Sequence, residues 1–429
     1  MRILEYSSRF GEALEKRLES EAFPRRKLEE VRAIVNGVRT RGDRAVREYT
    51  HRFDGVKIGK LAVPPQEFAR VRRLLEPDLL RAFRRVRRNI REYQSAGMAR
   101  SWRKKRKDGS VIGEKVGPIP SAGLYIPGGK APLVSTVFMT ALPAQLAGVE
   151  RIVLVTPPGP DGRANPWILA AADFLGCREV YRVGGAQAVA ALAFGTGSIP
   201  RVAKIAGPGN IYVTLAKKEV YGYVDIDMLA GPSEIAIIAD GSAPPRKLAA
   251  DLLAQAEHGT GGFSFLISTS KRLLAEVART IPELTEHLSR GDILTRAMER
   301  EVALVWVPGP AAAAELVNRL APEHLEIVTR QPEKMMARIR NAGAIFLGEF
   351  SPVAAGDYIA GPSHVLPTGG GARYFSPLSV NDFLKKSSFV RYSREALREE
   401  AGMIEKLARL EGLDAHALSI ASSFREAKK

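Results

Sequence analysis

The chain of 429 residues is predicted to be an α/β protein: two blocks of mostly parallel sheet, a helical N-terminal region and a small helical C-terminal tail. Three observations carry that prediction. From about residue 119 short apolar runs alternate with helix-like stretches, the pattern of βαβ units. The series occurs twice, which implies two blocks with a crevice between them where ligands usually bind. The flanking segments instead space their apolar residues as amphipathic helices do.

Taken in order, residues 26–50 and 77–94 carry apolar positions at helical spacing among charged ones. RIVLVT (151–156), EVYRVG (179–184) and EIAIIAD (234–240) read as strands, separated by the helix-like NPWILAAADFLG and AQAVAALAF. A second series has FSFLIST (263–269), VALVWVP (302–308), LEIVT (325–329) and AIFLG (344–348). Beyond about residue 379 the pattern turns helical and polar. The expected division is an N-terminal arm over residues 1–22, a first α/β domain over 23–124 plus 233–378 that includes the helical N-terminal part, a second over 125–232, and a C-terminal helical tail over 379–429. That tail is too small to fold alone and is expected to pack on the body or on another subunit.

Lysine and arginine exceed acids by 17 charges, with much of the excess between residues 69 and 107. Such density attracts anions and could serve nucleic acid. No zinc-finger, homeodomain or RNP-like pattern accompanies it, and a solvated helix face followed by a basic hairpin accounts for the same residues. No window approaches the roughly 18 apolar residues of a membrane span, and the N-terminus lacks the h-region of a secretory signal, so a cytoplasmic location is expected. The single cysteine, Cys177, excludes an internal disulfide and a cysteine-only metal cage. Nothing basic and titratable lies near it to activate a thiolate, so aldehyde chemistry here is expected to proceed without a thiohemiacetal.

GLYIPGGKAP fails the Walker pattern, because Leu124 and Ala131 stand where glycine and Ser or Thr are required. No GxGxxG follows a strand. GLYIPGG, GGAQA and GPGNIY can still offer backbone N–H groups to a pyrophosphate, or they are plain βα turns; both readings stand at this point.

Six histidines occur. His51 and His287 sit on charged helical stretches and read as solvated. Gln255 and His258 are three apart near a predicted helix end, so they face one way, although the pair also suits a helix terminus followed by Gly259. Asp357 and His364 lie in a Gly- and Pro-rich loop of the kind that carries function. His416 lies on the polar tail, where an exposed histidine is also expected. Gln255, His258, Asp357 and His416 form an N/O set that suits a divalent ion such as zinc.

GLYIPGG, VGGAQAVAALAFGT, GPGNIYVT, AGPSEI, QAEHG, APEHLE, AGDYIAGPSHVLPTGG and EGLDAHA, in that order, resemble the L-histidinol dehydrogenases from residue 53 nearly to the C-terminus. The resemblance implies a homodimer with two Rossmann-like units, distantly similar to aldehyde dehydrogenases, that oxidises L-histidinol through L-histidinal to L-histidine with NAD and one zinc ion per subunit. It further implies that Gln255, His258 and Asp357 ligate zinc from one subunit and His416 from the other. Glu411, Ser233 and His364 would contact substrate, as would the ligands themselves and His324. Tyr125, Gln187 and Asn210 would contact NAD. Glu411 and His416 distinguish histidinol from the polar alcohols, such as sulfonated diols, of relatives with the same fold.

An alcohol gives up hydride readily only as its proton is removed, so a base with a pKa near neutrality is needed, and His324 is the expected one. Glu323 is expected to activate the water that hydrates the aldehyde. For neighbours to serve one substrate the backbone at APEHLEI must be irregular, since adjacent side chains of a strand leave opposite faces. The strand is therefore expected to begin only near Leu325.

Overall fold

In the computed structural model the alternating apolar runs become parallel strands of two sheets. Residues 3–7, 24–128, 132–257, 261–286, 288, 294, 298 and 301–424 are described; of the expected arm over residues 1–22 only residues 3–7 lie among them. The strands are β1 (Ile3–Glu5), β2 (Trp102–Lys105), β3 (Val111–Pro118), β4 (Ser121–Tyr125), β5 (Arg151–Thr156), β6 (Val180–Arg182), β7 (Lys204–Ala206), β8 (Asp225–Ile226), β9 (Ile235–Ala239), β10 (Ser264–Ser268), β11 (Val302–Trp306), β12 (His324–Val328), β13 (Ala344–Leu347) and β14 (Leu384–Arg391).

One sheet has the order β1-β11-β10-β9-β12-β13 and the other β6-β5-β4-β7-β8, and every pairing within both is parallel. In each, the chain steps outward through three strands and then returns to the far side of the first, giving a reversal point beside β9 and another beside β4. The central strand β9, IAIIA, is buried at all five positions, as a strand covered by helices on both faces must be. Helix Arg25–Arg41 packs its Val31, Ile34, Val35 and Val38 face into the core of the second sheet, beside helices Gly185–Phe194 and Ile211–Val220.

The chain divides into two compact units, one of Met1–Gly97 and Ile119–Phe383, the other of Met98–Pro118 and Leu384–Lys429. The second unit holds an antiparallel sheet, β14-β3-β2, followed by helices Arg394–Leu410 and Asp414–Ser422. The basic stretch after residue 97 forms the β2–β3 hairpin. The region past residue 379 differs from the expectation of continuous helix. LKKSSFVR is a strand exposed along nearly its whole length, held by backbone pairing that leaves no apolar alternation to read. Among the described residues no helix is long and apolar enough to cross a membrane.

Candidate active site

The APEHLEI stretch turns sharply where helix Pro310–Leu320 ends. Ala321 takes a left-handed conformation, φ 47°, a strained choice for a residue with a side chain. Glu323 lies in the bend that follows, and the strand begins at His324, one residue earlier than expected. Because Glu323 is still outside the ladder, its side chain turns to the same side as its neighbour's. Glu323 Oε2 lies 3.6 Å from His324 Nδ1, and both residues are buried.

Glu234, immediately before β9, organises this pair. Its N–H donates to Glu323 Oε2 at 2.9 Å, and its carbonyl accepts from the backbone N–H of His324 at 3.1 Å. The same carbonyl lies 3.0 Å from His324 Nδ1. A carbonyl can only accept, so Nδ1 carries a proton and Nε2 is the basic nitrogen of the neutral ring. Nε2 makes no hydrogen bond among the described residues and lies 3.8 Å from Asp357 Oδ1.

Asp357 comes from the segment after β13, which doubles back over β12. The Val353 N–H donates to Glu326 Oε1 at 2.9 Å. Gly356 then lies against the Phe346 ring, where an added Cβ would stand 2.5 Å from the nearest ring carbon. The π-helical turn Gly356–Ala360 completes the return, a local widening common at functional sites.

Glu234, Glu323 and the imidazole perturb one another, and Asp357 acts on Glu323 and His324. Burial pushes Glu234 up to about 8, with repulsion from Glu323 adding to it. Burial raises Glu323 to about 7 against the pull of His324. For His324 burial acts downward, but Glu323 and Asp357 outweigh it and bring the ring to about 9. Cys177 is buried, and its thiol is pushed up to about 11 by that burial, which disfavours the nucleophilic thiolate.

The structure thus brings Glu323, His324 and Asp357 together, and Ser233 lies close enough for its hydroxyl to stabilise the Glu323 carboxylate. Sequence reasoning missed Glu234. Its signal was a lone acid heading a wholly apolar strand, a residue type almost never buried without a purpose. Gln255 is buried at the end of helix Pro245–Ala256, and His364 is half-buried in its loop. Glu411 and His416 are exposed in the second unit. His51 is exposed, and His258 and His287 lie outside the described residues.

The expected zinc site is corrected by this structure. Among the described residues no group of three or more His, Cys, Asp or Glu side chains could hold a metal ion. Asp357 is turned to His324, and His258 lies outside the described residues. Four donors of suitable type in the sequence do not by themselves make a coordination sphere.

The residues expected to contact NAD stand at the C-terminal edge of the second sheet. The Tyr125 hydroxyl, at the end of β4, accepts from the Gly185 N–H at 3.1 Å. Burial raises its pKa to about 12, so it stays a neutral phenol. Gln187 is buried in the first turn of helix Gly185–Phe194, and its Oε1 has no hydrogen bond among the described residues. Asn210 caps helix Ile211–Val220, its Oδ1 accepting from the N–H groups of Tyr212 and Val213.

A buried imidazole with one nitrogen tied down and the other open to accept a proton suits hydride chemistry, and the chain is an NAD-dependent oxidoreductase. The family model for histidinol dehydrogenase matches residues 18–424, and the chain belongs to that family. It is 50% identical over 400 residues to the histidinol dehydrogenase of Bacillus subtilis, covering 93% of each chain. With that of Geobacillus kaustophilus it shares 48% identity over 412 residues, covering 96% of this chain and 97% of the relative. Among solved structures, the crystal structure of histidinol dehydrogenase from Elizabethkingia anophelis is similar with a TM-score of 0.88 at 36% identity, covering 92% of this chain and 91% of the other.

Proposed function

We propose that His324 is the general base and Glu323 the water-activating group of this chain's reaction. That reaction is the NAD-dependent oxidation of L-histidinol to L-histidine. The observation that carries the assignment is the ring of His324, its Nδ1 proton held by the Glu234 carbonyl and its Nε2 left to accept. In the first step Nε2 takes the hydroxyl proton as the carbinol carbon gives hydride to NAD⁺, yielding L-histidinal, NADH and a proton. Water then adds to the aldehyde, Glu323 removing a proton from it as the carbonyl oxygen gains one, so the hydrate forms with no net proton change. Once Nε2 has released its first proton to solvent it acts again as base while the hydrate gives a second hydride to a second NAD⁺, and the acid so formed loses its remaining proton as the carboxylate. Four electrons leave the substrate and two NADH form.

Ser233, Gln255, His258, Asp357 and His364 are read as substrate contacts, and Tyr125, Gln187 and Asn210 as contacts to NAD at the C-terminal edge of the second sheet. Asp357 contributes by facing Nε2, where its charge favours the imidazolium formed after each proton transfer. Glu411 and His416 are read as contacts supplied to the partner's site within a homodimer. The apolar side chains left open on the tail support this: Met403, Leu407, Leu410 and Leu418 are each more than half exposed, a patch that suits burial against another subunit. A cytoplasmic setting is consistent with the single free thiol of Cys177.

The test is NADH formation with L-histidinol, followed to completion. About two NADH per substrate are expected from the balance above, with the initial rate rising as pH approaches about 9 and His324 loses its proton. A stoichiometry near one, or equal turnover of an unrelated polar alcohol such as a sulfonated diol, overturns the reading.

A further inference from the structure

We infer that Lys217 and Asp227 are positioning residues for NAD, clamping the Gly207 peptide that closes the nucleotide edge of the second sheet. The inference rests on the reading of Tyr125, Gln187 and Asn210 as nucleotide contacts. Gly207 opens the GPGN loop directly after β7. Its φ of 117° is one that a residue with a side chain rarely adopts, and an added Cβ would stand 2.2 Å from the carbonyl oxygen of Tyr125. Glycine here lets the loop lie against the backbone of a residue read as a nucleotide contact, at the reversal point between β4 and β7.

Side chains hold both backbone polar groups of this residue. The Gly207 N–H donates to Asp227 Oδ2 at 2.8 Å, and its carbonyl accepts from Lys217 Nζ at 2.6 Å. Lys217 Nζ also donates to Asp227 Oδ1 at 2.6 Å, which accepts from the Met228 N–H as well. The two side chains are 3% and 0% exposed. A buried ion pair costs more in desolvation than an apolar pair of the same shape, so packing alone does not account for it. What it supplies is a fixed place for Gly207, three residues before Asn210. The same helix reaches further: Thr214 Oγ1 donates to the Ala230 carbonyl at 2.6 Å, at the start of the segment that leads to Ser233 and Glu234.

The experiment compares Asp227→Asn and Lys217→Met with the parent, measuring KM for NAD, KM for L-histidinol, kcat, NAD affinity by titration and the thermal midpoint. Asp227→Asn keeps one carbonyl oxygen for the three donors that the carboxylate serves and is the variant to read if Lys217→Met fails to fold. The expected result in folded protein is a rise in KM and Kd for NAD of about tenfold or more, the scale of one hydrogen bond to a charged group, with KM for L-histidinol and kcat at saturating NAD changed by less than about threefold. A lowered thermal midpoint with NAD parameters unchanged overturns the clamp and leaves a structural ion pair. Gln187→Ala, run in parallel, separates the two levels. If it raises KM for NAD while Asp227→Asn does not, the clamp alone fails; if neither moves it, the nucleotide reading fails with it.

Discussion

In the sheet built around β4 the residues read as nucleotide contacts stand at the C-terminal ends of the strands, whereas in the sheet built around β9 the reactive side chains stand at the N-terminal ends. Glu234 precedes β9, and Glu323 and His324 open β12. The two edges differ electrostatically because helices run antiparallel to the strands they connect. At a C-terminal edge helices begin, and their free N–H groups favour phosphate; helices Gly185–Phe194 and Ile211–Val220 start there. At an N-terminal edge helices end. Helices Pro245–Ala256 and Pro310–Leu320 finish at that side of the first sheet, where carbonyl ends favour a cation over an anion. An edge of that polarity suits an imidazole that must become imidazolium, and it is a poor place for a pyrophosphate.

The contrast between the two edges is tested most severely by His324→Gln, which keeps a hydrogen-bonding side chain and removes the base. The expected loss in kcat is about 10²–10⁴-fold in both oxidations, with KM for NAD within about twofold of the parent. A large rise in KM for NAD would mean that the β12 edge also carries the nucleotide. Glu323→Gln is expected to act more selectively. Oxidation of added L-histidinal should fall by about 10²–10³-fold, and oxidation of L-histidinol to the aldehyde far less. Equal losses in the two half-reactions would remove Glu323 from water activation and leave it only the task of charging His324.

Most strands of both parallel sheets were legible as apolar runs flanked by turns, as in RIVLVT and EIAIIAD. Those lost were short, glycine-containing or exposed: β1 and β7 have three residues and β8 two, β4 lies in the glycine-rich stretch read as a loop, and β14 is exposed along nearly its whole length. The pairing of Glu323 with His324 was legible as a question, since neighbours can share a pocket only outside regular structure. Its answer lay in Ala321, whose left-handed turn no residue preference announces. Glu234 was hidden because its role runs largely through its backbone, and sequence carries no record of which carbonyl meets which ring nitrogen. The zinc reading failed for a related reason: donor types are visible along a chain, but their convergence is a tertiary fact.

A weaker effect is expected at Glu234, where the pH dependence of stability tests whether the β9 edge holds a proton. Its folded pKa of about 8 lies above the ordinary 4.5, so the folded state binds this proton more tightly than the unfolded chain does. The stabilisation linked to it is fully present below about pH 4.5 and is lost as pH rises through about 8. His324, raised from 6.5 to about 9, has the same sign, its contribution fading between those values, and Glu323 and Asp357 face it from the neighbouring segments. The parent's thermal midpoint is therefore expected to fall between about pH 6 and about pH 9. Glu234→Gln cannot ionise, and its amide oxygen can still accept from the Gly369 N–H, which lies 3.0 Å from Oε1 in the parent. Its midpoint should fall less steeply, gaining on the parent by about 1 °C at the alkaline end for each kcal/mol of buried charge avoided. Parallel curves for parent and variant would show that Glu234 is already ionised at neutral pH and that the first sheet's edge holds its charge by other means.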